Sequence, residues 1–284
     1  MNRRTFLKTM GIGSGILLGA GPRIIHAGEP LPDAATVLVD TTRCIGCRLC
    51  EEACAQANSL PAPDLSDLTV FDRKRSTSEA ALTVVNRYTI EDAEIHVKTQ
   101  CMHCSDAACV SSCLVNALKK EKEGPISWHT NCMGCRYCMV ACPFDGPKFE
   151  YHSAAPRILK CTFCYATRLV KGQKPACVEA CPMEALSFGT RSEMLQEARS
   201  RIANAPDAYV SHIYGEHEVG GTSWIYLSPV PFDRIGFRTD LGTTPYPVLT
   251  KGYLKTVHGI DLIVLALLFG LAYLSRRKHD KDKD

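Results

Sequence analysis

The sequence has few aromatic residues, little net charge and only one concentrated apolar stretch. Aromatic residues fill 7% of the 284 positions although 45% are hydrophobic, which argues against a large conventional core. The formal net charge is +3 and no basic face carries interleaved aromatic residues, so nucleic-acid binding is not favoured. No nucleophile–base pair, open metal site or phosphate loop stands out, which indicates a protein without a substrate site of its own.

Cysteine is the residue that the sequence has in excess, and no cysteine is left over. Sixteen cysteines fall into four groups of four, each ending in C-x3-C: Cys44, Cys47, Cys50, Cys54; Cys101, Cys104, Cys109, Cys113; Cys132, Cys135, Cys138, Cys142; and Cys161, Cys164, Cys177, Cys181. The third group reads C-x2-C-x2-C-x3-C-P, by which bacterial ferredoxins bind 4Fe-4S cubanes, the fourth cysteine binding a second cluster. The four groups therefore predict four half-ferredoxins holding four 4Fe-4S clusters.

Disulfides and zinc are the alternative uses of so many cysteines. Disulfides join separated positions and gain little from C-x2-C-x2-C runs. Three thiolates within seven residues suit one face of a cubane better than a zinc tetrahedron. A body packed around clusters is also expected to need its metal in order to fold.

The chain begins with the pattern of a twin-arginine export signal. Arg3-Arg4-Thr5-Phe6-Leu7-Lys8 precedes a mild apolar run that ends near Ala20, and a cleavage point follows at Ala27. That route carries folded proteins, which suits thiols that must be metallated before they meet an oxidising compartment. We therefore expect a signal at residues 1–27 and a periplasmic protein.

The C-terminus carries the apolar stretch. Its uninterrupted part, Leu262–Leu274, has only thirteen residues, but extending it back to Tyr253 reaches the roughly 20 that a bilayer needs. The basic residues Arg276-Arg277-Lys278 follow and predict a cytoplasmic tail over 276–284. We therefore expect a single transmembrane helix at 253–275, which anchors the body on the periplasmic side of the inner membrane.

Four ionisable residues are candidates for supporting roles. Arg48 and Arg136 each follow the second cysteine of their group, where a positive charge would raise the reduction potential of the nearby cluster. His258 and Asp261 lie one turn apart at the outer end of the expected span, and ionisable groups at membrane depth are often functional. They are therefore candidates for a quinol or proton site facing a partner subunit.

Short strands are predicted around the cysteine groups. Val37–Asp40 precedes the first group, Glu94–Lys98 alternates before the second, and residues 117–128 read as strand, turn, strand. This last hairpin is what a βαββαβ ferredoxin unit needs between its two motifs. Residues 55–94, in contrast, read as a solvated polar insertion. After the fourth group, Thr190-x-x-Glu193 is a capping box that predicts a helix to about residue 204.

These features together resemble a known family. With its four cysteine groups, the phrases at 160–164 and 175–182, the stretch GEHEVGGTS at 215–223 and the terminal apolar run, the chain resembles the HybA-type iron–sulfur subunits of membrane-bound respiratory NiFe hydrogenases. It is similar also to the β subunit of formate dehydrogenase-N. The resemblance implies an α+β fold of two ferredoxin-like (βαββαβ) units at 28–190, one inserted in the other at about 94–152. An extension at 191–250 and the transmembrane helix would follow.

The resemblance also implies how the cysteine groups pair, which spacing leaves open. Eighteen residues separate Cys113 from Cys132 and also Cys142 from Cys161, so tandem pairing is feasible as well. In the family, the second and third groups form one unit, inserted into a unit built from the first and fourth. Carried over by position, the implied ligand sets are Cys44, Cys47, Cys50, Cys181 (set A); Cys54, Cys161, Cys164, Cys177 (set B); Cys101, Cys104, Cys109, Cys142 (set C); and Cys113, Cys132, Cys135, Cys138 (set D).

A line of cubanes passes electrons one at a time, so the expected function is electron relay. By resemblance, a periplasmic catalytic subunit, a NiFe hydrogenase in the first place, would supply electrons to a polytopic quinone-reactive membrane subunit. A formate dehydrogenase or another molybdenum enzyme is the alternative catalytic partner. A membrane-tethered redox sensor or scaffold is an alternative of another class, although four cubanes exceed what sensing needs.

Overall fold

The structure is a computed structural model that describes residues 34–281. The predicted signal at 1–27 lies outside the described residues, as do the last three residues of the predicted tail. Within the described range the chain forms nine strands and six α-helices. The strands are β1 (Ala35–Asp40), β2 (Thr83–Ile90), β3 (Ala93–Gln100), β4 (Leu118–Lys120), β5 (Ile126–Trp128), β6 (Lys148–Phe149), β7 (Ile158–Leu159), β8 (Leu186–Thr190) and β9 (Trp224–Leu227); the helices are α1 (Leu49–Ala57), α2 (Ala108–Ser111), α3 (Tyr137–Ala141), α4 (Ala176–Glu179), α5 (Arg191–Asn204) and α6 (Tyr246–Lys281).

The largest sheet has three strands and forms one side of the core. β1 lies in its centre, antiparallel to β8 and parallel to β9, with Val37 opposite both Phe188 and Trp224. Every residue of β9 is buried, and β1 is buried beyond its first residue. Both faces of the sheet are therefore covered, which matches the continuous apolar runs in these two strands.

The helix after the fourth cysteine group is the one that the capping box predicts. Thr190 accepts a hydrogen bond from the backbone N–H of Glu193, and the Glu193 carboxylate accepts one from the N–H of Thr190. α5 then packs against β1 and buries Ala198 with Leu38 and Ile225. Its function is to cover the sheet.

The remaining sheets are two-stranded hairpins. The predicted hairpin over 117–128 is confirmed as β4 and β5, and β6 pairs with β7 over two residues. The prediction that 55–94 is a solvated loop is wrong for its last part, because β2 pairs with β3 over eight residues. Val84 and Val85 are 1% exposed, and the β-branched run that contains them favours a buried strand.

The predicted fold class is corrected by these sheets. An α+β fold of two βαββαβ units, one inserted in the other, would need four-stranded sheets, whereas the chain forms one three-stranded sheet and three two-stranded sheets. The fold is mixed α/β with small sheets. The reason lies in the sequence, where the four strands between the second and the fourth cysteine group have only two or three residues each and cannot extend a larger sheet.

The predicted transmembrane helix is also corrected. Residues 253–275 do lie in the long helix α6, but no helix in the described part of the chain combines the length and the apolar character that crossing a bilayer requires. The helix continues before Leu262, but polar and charged residues interrupt its apolar run there, so the apolar run has only thirteen residues. The predicted anchoring on the periplasmic side of the inner membrane loses its structural basis with this helix.

Candidate metal centres

The four cysteine groups share a local backbone conformation. The residue just before the second cysteine of each group has a left-handed backbone, with φ of 73° at Gly46, 50° at His103, 74° at Gly134 and 55° at Phe163. Outside glycine this conformation is strained and is kept where the surrounding structure demands it. The repeat that the sequence predicts is therefore also a repeat of structure.

Gly46 shows why one of these positions needs glycine twice over. A Cβ atom on Gly46 would lie 2.3 Å from the His96 ring, and the positive φ is in itself unfavourable for other residues. His96 belongs to β3, so this close approach holds the loop of the first cysteine group against the β2–β3 hairpin. At the equivalent Gly134, the nearest atom to a Cβ would be 3.8 Å away, on Phe149.

Short helices carry the third cysteine of each group, and these helices pack in pairs. α1 contains Cys50 and Cys54, α4 contains Cys177, and these two helices pack together. α2 contains Cys109, α3 contains Cys138, and these two also pack together. The first cysteine group therefore lies beside the fourth, and the second beside the third.

Sets A and B each line a cavity of their own. The four cysteines of set A line one cavity together with Val39 of β1 and Leu186 of β8. The four cysteines of set B line a second cavity, with Phe163 and Trp224 in its wall. Lys98 of β3 lines both. The residues implied as ligands by the resemblance are thus brought together here.

Sets C and D are brought together in the same way. The cysteines whose charge has the largest electrostatic effect on Cys104 are the other three of set C. Those with the largest effect on Cys138 are the other three of set D, so each set is close together in space. Interactions between sets link Cys50 to Cys177, Cys161 to Cys101, and Cys109 to Cys138. These links connect the sets in the order A, B, C, D.

Exposure differs between the middle and the ends of this series. Seven of the eight cysteines in sets B and C are buried, against one of eight in sets A and D. The two exposed cysteines are Cys47 of set A and Cys135 of set D. The series therefore has a buried middle and two ends that reach the surface.

Burial controls the protonation of the thiols. It raises the pKa of Cys54 to about 12 and those of Cys138 and Cys142 to about 11, and it raises the pKa values of Cys104 and Cys161 well above the ordinary value. Iron binds thiolate, so loading these sites releases protons. Backbone N–H groups are already aimed at some sulfurs, for example from Ala117 to Cys113 at 3.1 Å and from Gly146 to Cys142 at 3.3 Å. Such bonds stabilise thiolate ligands.

The chemistry of the donor set, free thiols in groups of four, fits cubanes. All sixteen cysteines lie in the described part of the chain, and none of them forms a disulfide. Among residues 34–281, no three His, Cys, Asp or Glu side chains converge closely enough to hold a single metal ion. A cubane does not require that convergence, because each of its four thiolates binds a different iron.

Two lysines that sequence reasoning missed lie beside the cysteines, Lys160 buried and Lys120 partly buried. Lys120 donates to the carbonyls of His103 and Cys104, and burial lowers its pKa to about 8. Lys160 donates to the carbonyls of Ile126 and Cys161. A lysine in a short strand normally reads as exposed, and proximity to a cysteine group is the only signal that could have singled these residues out.

His103 is another buried residue that the sequence did not mark. Its Nδ1 accepts a hydrogen bond of 2.8 Å from the N–H of Ile126, so Nε2 carries the hydrogen and donates to the carbonyl of Cys161 at 2.9 Å. Burial keeps its pKa well below the usual range, so the ring is neutral. His103 therefore joins the second cysteine group to the fourth.

The candidate supporting residues have different surroundings. Arg48 is 3% exposed, lines the cavity of set A and donates to the carbonyls of Asp64 and Asp67, both at 2.9 Å. The guanidinium of Arg136 lies over the rings of Phe149 and Tyr151, 5.4 and 5.7 Å from their centroids.

The structure gives little information on the two candidate residues in α6, His258 and Asp261. Asp261 is exposed. The side chain of His258 lies outside the described residues. The quinone-side role that the sequence suggested for these two residues therefore stays a prediction.

Comparison with known proteins identifies relatives over most of the chain. The family model of a 4Fe-4S dicluster domain matches residues 93–191. A protein of Nitratidesulfovibrio vulgaris is 44% identical, over 98% of this chain and 78% of its own length. The hydrogenase-2 operon protein HybA of Escherichia coli O157:H7 is 34% identical, over 99% of this chain and 97% of its own length. The formate dehydrogenase-O iron–sulfur subunit of Escherichia coli K12 is 34% identical, over 67% of this chain and 65% of its own length.

These relatives confirm the resemblance that the cysteine motifs indicated, and the agreement extends over almost the full length of HybA. The sixteen cysteines and the dicluster domain agree with four 4Fe-4S clusters. The chain belongs to the HybA-type family of iron–sulfur electron-transfer subunits.

Proposed function

We propose that this chain relays electrons through four 4Fe-4S clusters held by sets A, B, C and D, in that order. The observation that carries the proposal is the linear connection of the four sets, with a buried middle and exposed ends. Bound clusters supply one-electron carriers. The protein residues hold them, exclude water from sets B and C, direct N–H groups toward the sulfurs and place lysines beside the cysteines.

The two ends are the proposed points of contact with partners. Set A is flanked by the exposed side chains of Ile45 and Met183, and set D by those of Met133, Tyr137 and Val140. An apolar surface around an exposed ligand allows a partner's redox group to approach closely while water is excluded. Electrons would therefore enter at one of these ends and leave at the other.

The catalytic partner is proposed to be the large subunit of a NiFe hydrogenase, and the acceptor a quinone-reactive subunit. Support comes from the full-length similarity to HybA, a hydrogenase-2 operon protein. A formate dehydrogenase is the second candidate, because an iron–sulfur subunit of formate dehydrogenase-O matches two thirds of the chain. The metal of the large subunit that co-purifies with this chain decides between them, nickel favouring the first and molybdenum the second.

Metal analysis tests the relay itself. Anaerobically purified protein is expected to contain about sixteen irons and sixteen acid-labile sulfides per chain, because four cubanes contain four of each. Far fewer, or recovery of the cysteines as disulfides, would contradict the proposal. A sensor with one structural cluster would give about a quarter of that content.

The ligand sets can be tested separately from the cluster count. Cys113→Ser and Cys132→Ser change residues of the same set D, so each single variant and the double variant should lose the same EPR signal. Tandem pairing would assign these two cysteines to different clusters. In that case the two single variants would affect different signals and the double variant would lose both.

A further inference from the structure

Lys98 is a buried cation placed between two of the proposed clusters. It lies in β3 and is 3% exposed, and it lines the cavity of set A as well as that of set B. The charges with the largest effect on Lys98 are those of Cys50 in set A and of Cys161 and Cys177 in set B. Burying an ammonium group is costly unless an opposite charge compensates it.

The counter-charge of Lys98 comes from sulfur. Within residues 34–281, Lys98 forms no ion pair with a carboxylate, and its Nζ donates one hydrogen bond, to Gln100 Oε1 at 2.8 Å. The cysteines that line the two cavities with Lys98 are the groups whose negative charge, once they bind iron as thiolates, compensates the ammonium. The ammonium is therefore stable in this position only beside the negative charge of the cysteine ligands.

A ring of contacts fixes the ammonium between the two cavities. Gln100 Nε2 donates to the Tyr226 hydroxyl at 2.6 Å, and that hydroxyl donates to the carbonyl of Lys98 at 3.0 Å. This orients the Gln100 amide with its oxygen toward Lys98 Nζ. On another side Nζ lies 4.3 Å from the centroid of the Trp224 ring, a cation–π contact. The charge is thus held by β3 and β9 and cannot turn to solvent.

We infer that Lys98 raises the reduction potentials of the clusters in sets A and B together and leaves the clusters of sets C and D unaffected. A buried positive charge stabilises the reduced cluster, which carries one more negative charge than the oxidised one. Lys98 is not among the charges that act most strongly on Cys104 and Cys109 of set C or on Cys138 of set D. The inference rests on the proposed relay, since it requires clusters in sets A and B.

Redox titration of the purified holoprotein, followed by EPR, tests this role. In Lys98→Met, two of the four potentials are expected to fall. At a fixed solution potential the reduced-to-oxidised ratio of these two clusters should drop about tenfold, equivalent to about 59 mV for a one-electron couple. Lys98→Arg keeps the charge and should retain both potentials to within a small part of that shift. Lys119→Met, at an exposed lysine, is the matched control and should change none of them.

A second variant removes the field of the charge while keeping Lys98 itself. Gln100→Glu places a carboxylate against the ammonium with little change in volume, so the same two potentials should fall. If Lys98→Met fails to bind four clusters, Gln100→Glu therefore still tests the charge. The inference is overturned if neither variant moves any potential, if all four move equally, or if Lys98→Arg shifts them as Lys98→Met does.

Iron and sulfide content separates this inference from the proposed function. A wild-type protein with far fewer than about sixteen irons contradicts the relay itself. A wild-type protein with all four clusters, whose potentials are the same in Lys98→Met and Gln100→Glu, contradicts only the role of Lys98.

Discussion

The two ends of the cysteine series, sets A and D, are chemically alike and structurally different. Both contain a C-x2-C-x2-C run with a left-handed glycine before the second cysteine. Set A lies against four strands, since Val39, Val85, Lys98 and Leu186 of β1, β2, β3 and β8 line its cavity. Set D has strands of only two or three residues beside it, from β4 to β6. The same motif is therefore supported by a rigid framework at one end and mainly by its own ligands at the other.

This comparison separates two tasks that the cysteine motif does not distinguish. The spacing of a group decides how its thiols can bind iron, whereas the surroundings decide how much the rest of the fold depends on them. Around set A, buried charges and contacts with four strands stabilise the loop in addition to the ligands themselves. Around set D, exposed apolar side chains such as Val140, 81% exposed, leave the ligands near the surface and available to a partner.

The largest predicted effect comes from removing a ligand in the buried middle instead of at the exposed end. Cys177→Ala takes a ligand from set B, where it also removes a counter-charge of Lys98, so we expect little folded protein and loss of more than one cluster. Cys135→Ala removes an exposed ligand of set D and should cost about one cluster, about four irons per chain, while the fold persists. Soluble yield, circular dichroism and iron content measure the difference. Equal losses in both variants would contradict it.

A smaller effect is expected from the buried carboxylate that supports set A. Glu51 accepts hydrogen bonds from the N–H of Val85 at 2.6 Å and from Arg75 at 2.6 Å, and it pairs with Arg48 at 3.4 Å. Glu51→Gln leaves the buried Arg48 and the partly buried Arg75 without a carboxylate, which costs about 3–5 kcal/mol. The urea midpoint for loss of cluster absorbance should fall accordingly.

The matched change near set D is Glu150→Gln. Glu150 pairs with Arg157, which is half exposed, so water replaces the lost contact. Its urea midpoint should equal that of the wild type. A comparable fall in both variants would mean that the network around Glu51 does not anchor the loop of set A.

The equivalent glycines test the framework more finely. Gly46→Ala and Gly134→Ala both place a Cβ on a left-handed backbone, which costs about 1–2 kcal/mol. Gly46→Ala also forces the His96 ring to move, because its Cβ would lie 2.3 Å from that ring. We therefore expect a larger fall in the urea midpoint for Gly46→Ala than for Gly134→Ala. Adding His96→Ala should remove the excess and bring the two variants together; if it does not, the contact with His96 is not the cause.

Residue patterns predicted the local structure well where a motif of fixed spacing or a turn marked the element. The cysteine spacing indicated the clusters, the Thr190–Glu193 capping box indicated α5, and the strand–turn–strand pattern over 117–128 indicated the β4–β5 hairpin. Strand β2 was missed because it follows a long polar segment and its partner β3 was assigned without it. Its β-branched run at Val84 and Val85 favours a strand, but the pairing with β3 that buries these residues is a contact between segments.

The failures at the site have a different physical cause. A lysine at position 98 in an alternating strand looks solvated, whereas it is buried between cysteines that belong to distant segments of the chain. The expected transmembrane helix was wrong because thirteen apolar residues had to be extended across polar ones to reach a bilayer's thickness. Local sequence patterns therefore say little about charge compensation between distant segments. They also predict a membrane span poorly when the apolar run is shorter than the bilayer is thick.

The smallest predicted effect concerns the arginine that sequence reasoning proposed as a tuning group at set D. Arg136 is exposed, and its guanidinium rests on Phe149 and Tyr151. Interactions in water are about fourfold weaker than at the effective dielectric constant of about 20 that applies near and within proteins. Arg136→Gln should therefore shift one cluster potential, by about a quarter of the shift in Lys98→Met, and added salt should shrink it further. A shift as large as that of Lys98→Met, or one insensitive to salt, would mean that set D is as well shielded from water as set A, and the contrast between the two ends would fail.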